Sequence, residues 1–435
     1  MESTFFNAKF SHIVAFDHFK FEFNPENIKA LKSSTIYDKI PSVKRKKLND
    51  KIYSKKFVEN YPELLNVSLE INVQDYITQI NEKGESLSLE ECADVFELCE
   101  DSLSPNVLIT ICFDLIGVSS ARFDFEITKP LKTTALINYA NITACFVDTA
   151  LFSEIKNLMN LIPKVVNKEI KNDVHDTYSV IYSTDSDIDL AACRDEISGI
   201  VSLNDAYIHF SKDMIKKKMK NAFSHYENTL IITGYSATFM MFKDLKRFTK
   251  KPKRYINELI TAVEMYHRQR YLLKTLDIYL DKLIRDLKEN KGKFDTNSLK
   301  SKMNEIKKTQ IDIQSKLEIY RNTRLSIKAS YIMFFDVLNE IFHLDKHYKF
   351  VLEKLDVNKS IYESLNEERR STWMENIQVI IIILGIATVF ATFSPLIFGS
   401  DVNVGEWVII MLFLLVLGLL LTLYIYRKRI NQFIR

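Results

Sequence analysis

The sequence predicts an α+β chain in three parts. These are an α/β cytosolic domain over residues 1–240, a long α-helical coiled-coil stalk over 241–372, and two C-terminal transmembrane helices over 373–435. Three observations predict it. β-forming runs separated by helical patterns fill the first part. Proline breaks helices, and six of the eight prolines precede residue 164 while none falls from Lys253 to Ser394. Two apolar spans, Ile377–Phe398 and Trp407–Tyr426, each supply the roughly 20 residues a helix needs to cross a bilayer.

Strands are expected at Ile13–Phe23, Leu65–Val73, Val107–Leu115, Ala121–Ile127, Ile142–Val147, Tyr178–Tyr182, Ala206–Phe210 and Thr229–Thr233. Each is rich in β-branched or aromatic residues, and together they make a sheet of roughly six to eight strands. Helices at Glu90–Leu98 and Leu151–Asn160 lie between them. The first belongs to the acidic run Glu85–Asp101 and reads as an amphipathic helix with a solvated face. Ser211–Phe248 is expected to lead from the sheet into the stalk.

The stalk is read from its seams. Ile256, Leu259, Val263, Tyr266, Arg270, Leu273, Leu276, Leu280, Leu283 and Leu287 recur at helical spacing. Asn290-Lys291-Gly292 then offers a turn, with Thr296, Asn297 or Ser298 to cap the next helix. From Leu299 to Ile341 a second seam alternates spacings of four and three, broken in character by Gln310 and Arg324. It resumes at Tyr348, Leu352 and Leu355 after an interruption at Asp345. The pair reads as an antiparallel helical hairpin whose second arm runs unbroken into the first apolar span. Glu340, His343 and His347 share a face of that arm, most simply as a polar flank of the coiled coil.

Charge sets the orientation of the hairpin. Glu367-Glu368-Arg369-Arg370 precedes the first span, and Arg427, Lys428, Arg429 and Arg435 follow the second. The connecting loop from Gly399 to Glu406 has neither Lys nor Arg. The positive-inside rule therefore puts both ends in the cytoplasm of a multi-pass plasma-membrane protein. Trp373 and Trp407 each start a span, as interfacial aromatics do. On a helical wheel Gln378, Gly385, Thr388, Thr392, Pro395 and Gly399 fall within about 100° of arc. That polar, small-residue stripe suits either a pore lining or close helix packing. Asp401 and Asn403 sit where an outer mouth is expected.

Other chemistry is sparse. A net charge of +3 over 435 residues excludes a field-driven nucleic-acid binder. Basic runs at Lys216–Lys220 and Lys243–Arg254 read as solvated faces or contacts with anionic lipid. The five cysteines are odd in number and lack C-x-x-C spacing, which suits a reducing cytosolic face. Phosphate-loop, dinucleotide, zinc-protease and nucleophile-elbow motifs are all missing, so no enzyme is expected. Asp185, Asp187, Asp189 and Glu196 occupy positions 1, 3, 5 and 12 of a calcium-loop pattern. Leu190 stands where that loop needs glycine. A divalent site, with Mg²⁺ as its cation, and an acidic surface loop both remain open. The Asp185–Asp189 string also admits a membrane-tethered nucleotidyl-transfer enzyme.

The order of parts resembles the CorA family of divalent-cation channels over the whole chain. The residues that carry the resemblance are the stalk running into the first span, the short loop, the second span and the basic tail at Arg427, Lys428, Arg429 and Arg435. The resemblance implies a homopentameric funnel, a pore lined by the first span and a basic ring at its cytoplasmic mouth. The family's Gly-Met-Asn signature is missing: the span ends Phe393-Ser394-Pro395-Leu396-Ile397-Phe398-Gly399. The chain is in this respect similar to CorA-like effectors that accompany type III CRISPR systems. That branch implies an antiviral channel opened by a nucleotide second messenger, either an AMP adduct of S-adenosylmethionine or a cyclic oligoadenylate. A magnesium transporter with a diverged filter and an anchored coiled-coil scaffold are the alternatives.

Overall fold

A computed structural model describes residues 4–17, 43–48, 65–83, 89–113, 118–160, 175–184, 193–220, 222–224, 229–243, 245–249, 251–289 and 329–398, with single positions between 301 and 314. The chain is of mixed α+β class. Its elements begin with β1 (Phe5–Phe6), β2 (Ala8–Asp17), β3 (Val43–Leu48), β4 (Leu65–Asn72), α1 (Val73–Lys83), α2 (Leu89–Asp101), β5 (Asn106–Phe113), β6 (Val118–Glu126) and β7 (Leu131–Lys132). Next come α3 (Thr133–Phe146), a π-helical turn over Val147–Leu151, α4 (Phe152–Asn160), β8 (Asp176–Ser183), α5 (Arg194–Ser202), a 3₁₀ turn over Asp205–His209 and α6 (Lys212–Met219). The remainder is β9 (Ala222–Phe223), β10 (Thr229–Thr233), β11 (Ala237–Phe242), α7 (Leu245–Phe248), α8 (Pro252–Glu289), α9 (Ala329–Phe342) and α10 (Leu344–Phe398).

Nine of these strands form one sheet in the order β3-β4-β5-β6-β2-β8-β11-β10-β9. All its pairs are antiparallel except β8 with β11. Side chains alternate across a strand, so each strand shows one set to each face. One face carries Phe10, Val14, Leu69, Ile109, Ile111, Phe123 and Phe125, all buried in the main apolar core beneath α1–α5. The other face carries Ser68, Thr110, Cys112, Ser120, Arg122 and Tyr178, also buried but largely polar. α8 and α9 cover part of this second face. His267 of α8 lies 5.6 Å from Tyr178, and Phe334 of α9 stacks 5.7 Å from Phe223.

Contacts divide the chain into two compact units. One comprises Met1–Asp277 with Gln314–Val351, the other Ile278–Ile313 with Leu352–Arg435. The expected seam of α8 is buried as read: Leu259, Val263, Leu273 and Leu280 are fully or almost fully enclosed. Within the first unit, however, it packs on the sheet and α9. In the second unit Leu355, Asn358 and Tyr362 of α10 form a buried stripe, and Lys354 bonds Asp281 of α8 at 2.8 Å. Asn358 lies wholly inside that stripe with its amide nitrogen on the Lys354 carbonyl.

Several expectations are corrected. Ile142–Val147 is helical, because Leu136, Ile137, Ala140, Thr143 and Phe146 recur at helical spacing around it. Ala206–Phe210 is mostly a 3₁₀ turn, started by the Asn204 side chain accepting from the Ala206 amide. Ser211–Phe248 holds the expected strand Thr229–Thr233 as β10 and adds β9 and β11 to the sheet, where only a connection to the stalk was expected. The expected unbroken arm is interrupted at His343, whose φ of 52° separates α9 from α10. Glu340, His343 and His347 consequently do not share one continuous helix face. Beyond the break α10 runs 55 residues without interruption through Phe398, as the lack of turn signals predicted.

Glycine packing gives a direct test of the core. A Cβ on Gly199 would lie 2.5 Å from Tyr207 Cγ and 2.7 Å from its Cβ, atoms that cannot swing aside. Gly199→Ala is therefore expected to lower stability by about 1–3 kcal/mol, read as an earlier urea midpoint with unchanged slope.

Candidate functional site

Three arrangements concentrate the unusual side chains. The first is the C-terminal stretch of α10. Its apolar residues are exposed in the chain: Trp373 is 64% exposed, Ile381 and Ile382 60% and Leu384 61%. Around Trp373–Ile386 apolar side chains face outward on several sides of the helix. This differs from Thr133–Asn157, the described helix long and apolar enough to cross a bilayer, which is largely enclosed by the sheet unit. Gln378, Gly385 and Thr388 lie on one side of α10 and are exposed. The Thr388 hydroxyl donates to the Leu384 carbonyl at 2.7 Å, the back-bond typical of a threonine inside a helix. Among the described residues, a Cβ built on Gly385 meets nothing within 4 Å outside the neighbouring helix backbone.

The second arrangement lies between the polar sheet face and α8. Glu264, His267, Arg268 and Arg270 of α8 are all buried. Ser120 donates to Glu264, and Arg268 donates to the Cys112 sulfur at 3.3 Å. Asp176 is the centre of the cluster. Its carboxylate is 3.3 Å from Arg270 Nε and 3.6 Å from Lys274 Nζ, and its carbonyl is 2.7 Å from His267 Nε2. A carbonyl only accepts, so His267 carries its proton on Nε2. The Arg270 guanidinium also lies 4.2 Å over the Tyr235 ring and 5.4 Å over Phe342, next to the α9–α10 break. It donates to the Tyr235 carbonyl at 3.2 Å. The cluster thus connects β8, the β10–β11 turn, α8 and the end of α9.

A third buried chain sits in the apolar core. His12 places Nδ1 2.9 Å from Ser179 Oγ and Nε2 2.8 Å from Thr143 Oγ1. Thr143 gives its own proton to the Tyr139 carbonyl at 2.6 Å, so His12 donates from Nε2 and accepts from Ser179. Serine beside histidine could suggest a nucleophile and its base. Here His12 is fully enclosed and Ser179 almost so, and the geometry is that of a satisfied core histidine. Burial lowers the pKa of both His12 and His267 to about 4.

The other anticipated residues fall as follows. The backbone at Thr392 continues α10. Gly399, Asp401, Asn403, Arg427, Lys428, Arg429 and Arg435 lie outside the described residues, as do Asp185, Asp187 and Asp189. Glu196 sits in the first turn of α5, half-buried near Tyr207. Among the described residues no three His, Cys, Asp or Glu side chains converge as a metal site. Sequence reasoning missed the cluster at Asp176. Its one signal was Arg270, a charge standing in an apolar seam. Comparison with family models, curated proteins and solved structures gives no match for this chain.

Two predictions follow from this geometry. The folded pKa of His12 and His267, about 4, lies below the ordinary 6.5, so between these values the unfolded chain binds more protons. Their contribution is complete above pH 6.5 and is lost as pH falls through 4. Stability should drop by a few kcal/mol between pH 7 and 4.5, and the slope should shrink in His12→Asn. Arg270→Lys keeps the charge but loses the planar stack on Tyr235 and Phe342. It should cost about 1–2 kcal/mol in chemical denaturation.

Proposed function

We propose that this chain is the protomer of a CorA-like homo-oligomeric membrane channel whose sheet unit responds to a nucleotide second messenger. In this reading it is an antiviral effector of the kind that accompanies type III CRISPR systems. One observation carries the membrane part: α10 exposes a band of large apolar side chains around Trp373–Ile386. Water penalises such a band at about 25 cal/mol per Å², whereas lipid does not. Gln378, Gly385 and Thr388 interrupt the band on one side. Copies arranged with that side inward enclose amide and hydroxyl groups together with Ile381, and keep residues such as Ile380 and Ile386 toward lipid. The open space at Gly385 suits close approach by a neighbouring copy.

Sequence favours effector over transporter, because Phe393–Gly399 lacks the Gly-Met-Asn signature. Purified chain reconstituted in vesicles should assemble as a ring and release trapped ions once messenger is added. Gln378→Leu with Thr388→Val should lower the flux by about tenfold while the assembly persists. Gly385→Ile should weaken the assembly itself, seen as smaller particles by mass photometry. A dimer or monomer in nanodiscs would sink the channel reading. Relief of a magnesium-import defect without any messenger would sink the effector reading.

A further inference from the structure

The helical layer over the apolar sheet face carries opposite charge on two helices that do not pack on each other, α2 and α6. α1 packs on α2, α2 on α3, α3 on α5 and α5 on α6, so α2, flanked by α1, and α6 stand apart with α3 and α5 between them. α2 exposes Asp94, Glu97 and Glu100 and contains no Lys or Arg. α6 exposes Lys212, Lys216 and Lys217, continued by Lys220, with Asp213 as its one acid. Lys218 is turned inward, bonded to Ser202 and 5.1 Å over the Phe210 ring. Ile208, 70% exposed, and Met214, 41% exposed, add apolar surface beside the lysines. Phe96 and Leu98 are half-buried on α2.

Neighbouring helix axes lie 8–10 Å apart, so α2 and α6 are separated by about 25–30 Å within one copy. The screening length at physiological salt is about 8 Å, so the two charge sets cannot neutralise each other inside the chain. Between copies they can. We infer that the α2 surface of one copy docks against the α6 surface of the next, a head-to-tail contact between copies of this chain. The inference rests on the homo-oligomer reading above. Different patches on the two partners make a heterologous contact, which propagates and closes as a ring when the rotation permits. Copies held in one bilayer meet at high effective concentration, so a small, salt-sensitive contact suffices to fix their register.

The test uses the full chain in detergent. One variant carries Asp94→Lys, Glu97→Lys and Glu100→Lys; another carries Lys212→Glu, Lys216→Glu and Lys217→Glu; a third carries all six. Either triple reversal should raise the half-dissociation concentration of the oligomer about tenfold at 0.1 M salt, and less than about twofold at 0.5 M. The sixfold swap should return to within about twofold of the unmodified chain. Unchanged melting of each variant certifies the fold, since all six side chains are exposed. An unmodified oligomer indifferent to either reversal would overturn the inference and leave the channel reading standing. So would a loss that the sixfold swap does not repair, or a lysine reversal that affects only binding to anionic vesicles. A chain that is monomeric before any substitution overturns both.

Discussion

Asp176 faces Arg270 and Lys274 with its carboxylate and His267 with its carbonyl. The placement of α8 depends on this junction. A helix carrying Glu264, Arg268 and Arg270 into a buried interface takes charges out of water, which costs several kcal/mol for each ion left uncompensated. The second face of the sheet answers with Ser120, Cys112, Asp176 and the Tyr235 ring. The polar character of that face is thus matched to one helix in one register. An aliphatic face would have accepted α8 in many.

The two faces divide the work of folding. On one, Phe10, Phe123 and Phe125 with their aliphatic neighbours provide the non-directional burial that drives collapse. On the other, hydrogen bonds and ion pairs add little net free energy but strongly penalise misalignment. His12 brings one directional element into the apolar side, tying β2, β8 and α3 through two hydroxyls.

The sequence showed class and periodicity well and local identity less well. Thr229–Thr233 and Leu65–Asn72 were legible because β-branched residues alternate between turn signals. The seam of α8 was legible because ten positions keep helical spacing. Its partner was not, since an apolar stripe reads the same whether it faces another helix or a sheet. The short run Ile142–Val147 fits either period, and only its flanks decide for helix. β3, with the sequence Val-Lys-Arg-Lys-Lys-Leu, gives no strand signal and is recruited by pairing with β4. The Asp176 junction joins residues nearly a hundred positions apart, so no local pattern announced it.

His343 has a wider consequence. Its left-handed backbone costs about 1–2 kcal/mol for a residue with a Cβ, so neighbours must hold it there. Phe342, wedged against Tyr178 and Arg270, supplies that hold. The boundary between α9 and α10 is therefore written in tertiary packing and not in the local residues, which contain no proline or glycine. The φ of one residue thus decides where α9 ends and α10 begins. Helix length here is set by a side-chain contact, the Phe342 ring against Tyr178 and Arg270, and a change that loosened that ring would act on the backbone one residue away.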